Sequence, residues 1–340
     1  MVMQYRNYSD LTDTIWKNLG KLPNIDLVIG IPRSGLIPAT IIALQLNKPF
    51  QPLDSFLRNE SPYSGERMRK ALKKLDSVEE RTVLVVDDST NSGHELRTRK
   101  AQIEKANIKG RFYYLCIYGS KESFHLPDFC LELVDTPRIF QWNIMNHRHL
   151  EKACLDLDGV LCIDPTHEQN DDGEEYIKFC LNAKPLFIPY FKIGNIVTSR
   201  LEKYRSETES WLKRQGIEYE KLHMMQYKTA AERRKDNKYG EYKARVYIET
   251  NSTLFIESER RQARIIYKLS RKPVFCTGTT EFFPTHVNYN DQPGSVNTGF
   301  KKKLAFTLLK AKNIPYKILS LKARIVAWVK RMLFIIGLFL

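Results

Sequence analysis

The sequence predicts an α/β protein of two parallel-sheet domains followed by a basic helical tail. Three observations carry that expectation. Short apolar runs rich in β-branched residues alternate with amphipathic stretches of helix length, the pattern of parallel strands covered by helices. Two of the runs end in closely spaced carboxylates, VLVVDD at residues 83–88 and CLDLD at 154–158. From residue 299 to 340 there are ten Lys or Arg and no Asp or Glu.

In order along the chain, DLVIG (26–30), TVLVVD (82–87) and the run 111–118 read as buried strands, with helices at 35–46 and 93–106 between and after the first two. A second series follows. Strands are expected at 153–157, 194–198, 254–257 and 274–276, with helices at 202–215 and 258–269. The polar stretch PRIFQWNIMNHRHLEK separates the series, and NYNDQPGSVNTG reads as a loop after the second. The domains are therefore 1–150, 151–290 and a tail at 291–340, in keeping with a chain of 340 residues.

Six cysteines without a CxxC pair, several inside apolar runs, read as reduced buried thiols. The start, MVMQYRNYSDLTD, lacks the apolar core of a signal peptide, so a cytoplasmic location is expected. The net charge of +15 suggests nucleic acid until it is located, because the tail carries ten of those charges. No nucleic-acid partner is expected.

Asp87 and Asp88 fall at the carboxyl end of a strand, where open parallel sheets bind ligands. After them Ser89, Thr90, Asn91, Ser92 and Gly93 make a small-polar loop that opens a helix, a place for an anion. A cradled phosphate would have two carboxylates beside it for the vicinal hydroxyls of a sugar. The second strand-turn-helix, DLVIGIPRSGLIP, offers Arg33, Ser34 and Gly35 as another anion cradle. Residues 58–74, rich in Arg and Lys, have the composition of a lid.

These features resemble the type I phosphoribosyltransferases, over about residues 26–118. The resemblance implies that Asp87 and Asp88 hold the ribose hydroxyls of phosphoribosyl pyrophosphate (PRPP), that residues 89–93 hold its 5-phosphate, and that residues 31–35 hold its pyrophosphate. Thr90, Asn91 and Glu95 depart from the family's usual residues.

In CLDLDGVL, Asp156 and Asp158 stand two apart and point the same way if the strand continues, unless a turn intervenes. Such a pair repels unless a cation or shared proton offsets the charge, and Mg2+ is the simplest counterion. The motif resembles the first motif of the haloacid dehalogenase superfamily (HAD), and further motifs are found in order over about residues 152–277. By that resemblance the fold is a Rossmannoid sheet with a minimal cap. Asp156 would be the nucleophile, Asp158 the acid and base, and Thr198 and Lys243 the phosphoryl contacts. Mg2+ would be held by Asp156, the Asp158 carbonyl and Glu257. Ser258 stands where relatives carry a second acid.

In the tail, Lys317, Ser320, Arg324, Ala327 and Arg331 share one helical side, and Ile318, Leu321, Ile325, Trp328 and Met332 the other. The final MLFIIGLFL is too short to cross a bilayer. Anchoring at an anionic membrane surface is expected, with packing against the body or a subunit, or RNA binding, as the alternatives. His147 and His149 read as a surface turn or a metal pair, and FQWNIMNH as core closure or an acceptor site.

Together the two resemblances imply consecutive steps. The first domain would transfer 5-phosphoribosyl from PRPP to a glycan acceptor, polyprenyl-linked, at the inner face of the cytoplasmic membrane. The second would then remove the 5-phosphate, as in the ribofuranose-installing modules of bacterial surface polysaccharide synthesis. The alternatives are a nucleobase phosphoribosyltransferase of salvage fused to a nucleotide phosphatase, or a degenerate membrane-bound binding module.

Overall fold

The structure is a computed structural model that describes residues 3–63, 65–66, 80–170 and 172–284. The expected membrane-associating tail and residues 64 and 67–74 of the expected lid lie outside the described residues. Among the described residues no helix is long and apolar enough to cross a membrane.

The first half contributes β1 (Gln4–Arg6), β2 (Leu27–Gly30), β3 (Phe50–Pro52), β4 (Thr82–Thr90), β5 (Arg111–Gly119), β6 (Phe129–Leu133) and β7 (Arg138–Phe140). Strands β2 to β6 form a parallel sheet in the order β3-β2-β4-β5-β6. Its central strands are buried on both faces, which is why they read as continuous apolar runs. Leu84, Val86 and Ile117 pack on one face with the helices Tyr8–Asn18 and Leu36–Leu46. Val83, Val85 and Ile29 pack on the other with Leu96 and Ile103 of the helix His94–Lys105.

The second half contributes β8 (Ala153–Leu155), β9 (Ile193–Leu201), β10 (Tyr219–Met225), β11 (Leu254–Glu257), β12 (Val274–Cys276) and β13 (Glu281–Phe283). They form one sheet in the order β10-β9-β8-β11-β12-β13, parallel except for β13. The small parallel pair β1-β7 joins the halves: Met3, Tyr5 and Ile139 pack into the second core, and Tyr5 stacks on Phe282 with ring centroids 4.6 Å apart. Both sheets thus belong to one compact unit, Met1–His286, linked by the short 3-10 turn Arg148–Lys152.

Two boundaries differ from the sequence reading in ways that matter for the sites. The strand expected over 82–87 runs on to Thr90, because β5 continues alongside and pairs Ser89 with Tyr118 and Thr90 with Gly119. Asp87, Asp88 and Ser89 therefore lie in the strand, and the loop shrinks to residues 91–93. The strand expected over 153–157 stops at Leu155, where the chain turns through Gly159 at φ +77°. Strands β3, β6, β7, β10 and β13 carried no clear apolar run in sequence, being short or, in YEKLHMM, half polar.

All six cysteines are free thiols and five are buried. The His147 and His149 rings stand 6.3 Å apart, and His149 pairs with the Thr253 hydroxyl at 2.6 Å. They lie at the turn Arg148–Lys152, where His147 Nδ1 accepts the His149 backbone N–H at 3.1 Å.

Candidate active sites

The strand order of the first sheet reverses between β2 and β4, and the loops leaving these strands border the crevice where such sheets take ligands. The loop after β2 touches the end of β4. A Cβ on Gly35 would meet the Ile31 and Val86 carbonyl oxygens at 2.6 and 2.7 Å and the Asp87 Cα at 3.0 Å, so glycine alone allows this approach. Ser34 on the same loop donates from Oγ to Asp88 Oδ1 at 2.8 Å. The neighbouring Arg33 is exposed.

Both acidic residues are buried. Asp87 Oδ1 accepts the backbone N–H of Asp88 at 2.9 Å, and Asp88 Oδ2 accepts the Trp142 indole N–H at 2.7 Å. Burial first, and the adjacent Asp88 charge second, push the Asp87 carboxyl well above the usual carboxylate range.

Beyond the pair, Asn91 and Ser92 are exposed and Gly93 turns at φ +73° into the helix His94–Lys105. Donors gather on the carbonyls of this segment. Ser123 Oγ and Arg138 Nη2 both reach Thr90 O at 2.8 Å, Ser120 Oγ reaches Asn91 O at 2.8 Å, and Arg97 Nη2 reaches Ser92 O at 2.8 Å. The loop is thus braced at the start of a helix, where backbone N–H groups and the dipole favour an anion. Glu95 pairs with Arg99 at 2.7 Å, which offsets its charge near that anion position.

Residues 8–142 match the Phosphoribosyl transferase domain. Phosphoribosyl transfer is the chemistry this domain supports, with PRPP as the implied donor. The chain is similar to solved structures of phosphoribosyltransferases. A purine phosphoribosyltransferase from Pyrococcus horikoshii is 19% identical, covering 42% of this chain and 94% of that one, with a TM-score of 0.32. The xanthine-guanine-hypoxanthine phosphoribosyltransferase of Helicobacter pylori is 12% identical over 42% and 94%, also with a TM-score of 0.32. A hypothetical protein from Neisseria gonorrhoeae with bound ppGpp is 17% identical over 42% and 91%, with a TM-score of 0.31. No curated protein matches the chain.

Sequence reasoning placed the phosphoribosyl transferase domain's Asp87, Asp88, Ser34, Gly35 and the 91–93 loop, and the structure brings these together. It missed Arg97, Ser120, Ser123 and Arg138, which act on the loop from neighbouring segments. Trp142 answers the open reading of FQWNIMNH: it stacks on Phe140 at 4.9 Å, closing the core, and also reaches the acidic pair.

In the second sheet the order reverses at β8, and Asp156 follows that strand directly. Lys243, 1% exposed, bridges two buried carboxylates, with Nζ 2.7 Å from Asp156 Oδ2 and 2.7 Å from Glu257 Oε2. Asp156 Oδ1 also accepts from the Leu157 N–H, and Glu257 Oε1 from the N–H groups of Ser258 and Glu259. Burial, and then the second negative charge of Glu257 against the opposing Lys243, hold the Asp156 carboxyl above its ordinary range. Burial opposes the Lys243 ammonium, but the two carboxylates outweigh it and raise its pKa.

Asp156 and Asp158 do not form a like-facing pair, because the strand ends at Leu155 and the chain bends at Leu157 between them. Asp158 instead faces Arg200, whose Nε lies 3.2 Å from both carboxylate oxygens and whose Nη2 lies 2.7 Å from Oδ1. The proton-transfer role read for Asp158 therefore requires its carboxylate to share or leave that fork. Thr198 is also placed differently from the expectation. Its hydroxyl accepts the Arg200 N–H at 3.2 Å, whereas Ser199 lines the cavity beside Asp156 with a buried Oγ that has no partner. Adjacent strand residues face opposite sides, so a one-residue choice in GNIVTSR exchanges the two hydroxyls.

The cavity measures about 360 Å3 and is lined by Asp156, Asp158, Lys243 and Glu257, and also by Asp164, which sequence reasoning missed. Burial, then the charges of Asp158 and Glu257, raise the Asp164 carboxyl. For a hard cation the donors here are the Asp156 and Glu257 carboxylates and the Asp158 carbonyl. An all-oxygen set of this kind fits Mg2+. Ser258 Oγ approaches the Asp158 carbonyl at 3.5 Å, and a Cβ on Gly159 would meet Ser258 Oγ at 2.3 Å, so glycine keeps this corner open. Among the described residues no three His, Cys, Asp or Glu side chains converge as a metal site.

Proposed function

We propose that the chain carries out two consecutive steps, 5-phosphoribosyl transfer from PRPP to a glycan acceptor followed by removal of the 5-phosphate. The observation that carries this reading is the presence, in one compact unit, of two buried carboxylate sites, each at the point where its own sheet reverses strand order. One has the surroundings of a sugar phosphate. The other, a lysine bridging two buried carboxylates, supports the reading of a HAD-type phosphatase.

In the first step Asp87 and Asp88 accept hydroxyls of the ribose, and the braced 91–93 loop holds the 5-phosphate. Ser34 and Gly35 bring the second loop against the pair, and Arg33 meets the pyrophosphate, offsetting negative charge as it leaves.

In the second step Asp156 attacks phosphorus, the ester oxygen departs, and the aspartyl phosphate formed is then hydrolysed by water. Lys243 fixes the Asp156 carboxylate and offsets charge, while Ser199 offers its hydroxyl to the phosphoryl oxygens. Asp158 moves the proton, to the leaving oxygen and later from water. Mg2+, when held by Asp156, Glu257 and the Asp158 carbonyl, supplies further charge neutralisation at the phosphoryl group.

The lipid-linked acceptor is supported by the tail sequence, whose basic and apolar sides suit an anionic membrane at its cytoplasmic face. The test is an acceptor screen with PRPP and Mg2+ read by mass spectrometry. A saccharide that gains a ribosyl group supports the proposal, and in Asp156→Asn the same product should accumulate one phosphoryl group heavier. A free nucleobase as the sole acceptor would favour salvage, and no pyrophosphate release with any acceptor would leave a binding module.

A further inference from the structure

The cavity beside Asp156 contains polar groups that the proposed hydrolysis does not use. Arg233, on the helix Ala230–Asp236, is 6% exposed and lines this cavity. Its two terminal nitrogens are already placed. Nη1 donates to Ser199 O at 2.7 Å, Nη2 lies 3.3 Å from Asn170 Oδ1, and the guanidinium stands over the Tyr239 ring at 5.9 Å. The third nitrogen, Nε, is buried and has no partner. Gln262 of the helix Arg260–Ser270 lines the same cavity, and its buried side-chain oxygen also has no partner.

Buried polar groups are nearly always satisfied, and leaving one unmet costs on the order of 1–3 kcal/mol. Two such groups, on residues that line one cavity with the nucleophile and come from different helices, are positions where a bound molecule can supply the missing partners. Their chemistry narrows that molecule. The Arg233 edge, a charged donor, takes an anionic or strongly accepting oxygen. The Gln262 amide pairs with a hydroxyl in either orientation, since a hydroxyl both donates and accepts. An alkyl phosphoester without hydroxyls would leave the amide unmet.

We propose that Arg233 and Gln262 are specificity-determining residues that select hydroxyl-bearing phosphoesters, of the sugar phosphate class, over plain alkyl phosphates. The assignment rests on the phosphatase reading for turnover but not for binding. Gln262 reads the hydroxyls of the leaving alcohol, and Arg233 anchors the substrate through the one guanidinium edge the protein leaves open.

The full chain carrying Asp87→Asn and Asp88→Asn, which silences the first site, is the background for the test. Two probes of equal carbon count are compared, ribose 5-phosphate and 1-pentyl phosphate. Calorimetric binding is measured with metal chelated, and phosphate release with Mg2+ present. Gln262→Leu should weaken ribose 5-phosphate binding about tenfold, the loss of one hydrogen bond to a buried site, and leave 1-pentyl phosphate within about twofold. Arg233→Met should weaken both probes in KM and Kd more than in kcat, and Arg233→Lys should restore part of the loss. Equal effects of Gln262→Leu on the two probes, or none, would overturn the inference. If neither probe is hydrolysed but the binding preference holds and disappears in Gln262→Leu, the hydrolytic reading fails and the site assignment stands. If the starting chain itself binds the two probes equally, the assignment fails whatever is hydrolysed.

Discussion

Trp142 donates its indole N–H to Asp88 at 2.7 Å across 54 positions of sequence. The other Asp88 oxygen accepts from Ser34, so both are occupied by groups from different loops. Asp88 is thereby aimed by two neutral donors, and neither carries a charge that would neutralise it. The indole also stacks on Phe140 at 4.9 Å and meets the Tyr8 ring at a tilt, 5.7 Å away, so its position is set by ring packing.

Trp142→Phe should keep much of that stacking and lose the hydrogen bond. A charge-assisted bond is worth about 1.5–3 kcal/mol, partly recovered if water reaches Asp88. We expect urea unfolding to show a loss of about 1–2 kcal/mol, with PRPP affinity lowered. An unchanged affinity together with unchanged stability would show that the contact has no bearing on the site.

Asp87→Asn with Asp88→Asn should abolish pyrophosphate release while phosphate release from a small phosphoester continues. The pair belongs to the first sheet, and Asp156 and Lys243 to the second. Loss of both activities in a folded double variant would argue against separate sites.

Removing the single cation between two buried carboxylates should be costly. For Lys243→Met we expect a loss of about 3–5 kcal/mol, because Asp156 and Glu257 would then face each other uncompensated. Adding Glu257→Gln should recover part of it. Denaturation midpoints of the single and double variants decide the matter, and additive losses would contradict the coupling.

The raised Asp87 carboxyl has a definite sign for stability. A carboxyl that holds its proton more tightly folded than unfolded contributes stability below its unfolded value, about 3.9, and loses it as pH rises through the folded value. Carbon-13 titration of Asp side chains should show a resonance that titrates well above 4 and is missing in Asp87→Asn. In Asp88→Asn it should titrate lower, yet still above the ordinary range, because burial is the larger cause and persists. A resonance assigned to Asp87 that titrates normally would refute the account.

Deleting residues 317–340 should move the protein from the membrane fraction to the soluble one and spare turnover on a short soluble acceptor. Binding of the full chain to anionic vesicles should weaken with salt, since each basic residue contributes about 1 kcal/mol within a screening length of roughly 8 Å. Some binding should persist at high salt through Trp328 and the apolar end. Loss of both activities on soluble substrates after the deletion would make the tail part of the body.

What the sequence determined was local. Fully buried strands must be apolar along their length, so β2, β4, β5, β8, β11 and β12 were legible, and glycine or acidic residues at their ends or in the turns after them marked Gly35, Asp87, Asp88, Asp156 and Glu257. Strand register, turn geometry and contacts between distant segments were not. Whether β4 stops at Asp87 or runs to Thr90 depends on its pairing with β5. The choice between Thr198 and Ser199 depends on which side of one strand faces the cavity, and a one-residue shift reverses it. The partners of the acids, Arg200 for Asp158 and Trp142 for Asp88, lie 42 and 54 residues away. No local pattern encodes such pairs, because what joins them is the packing of separate strands and helices, and a buried charge takes whatever donor that packing brings within reach.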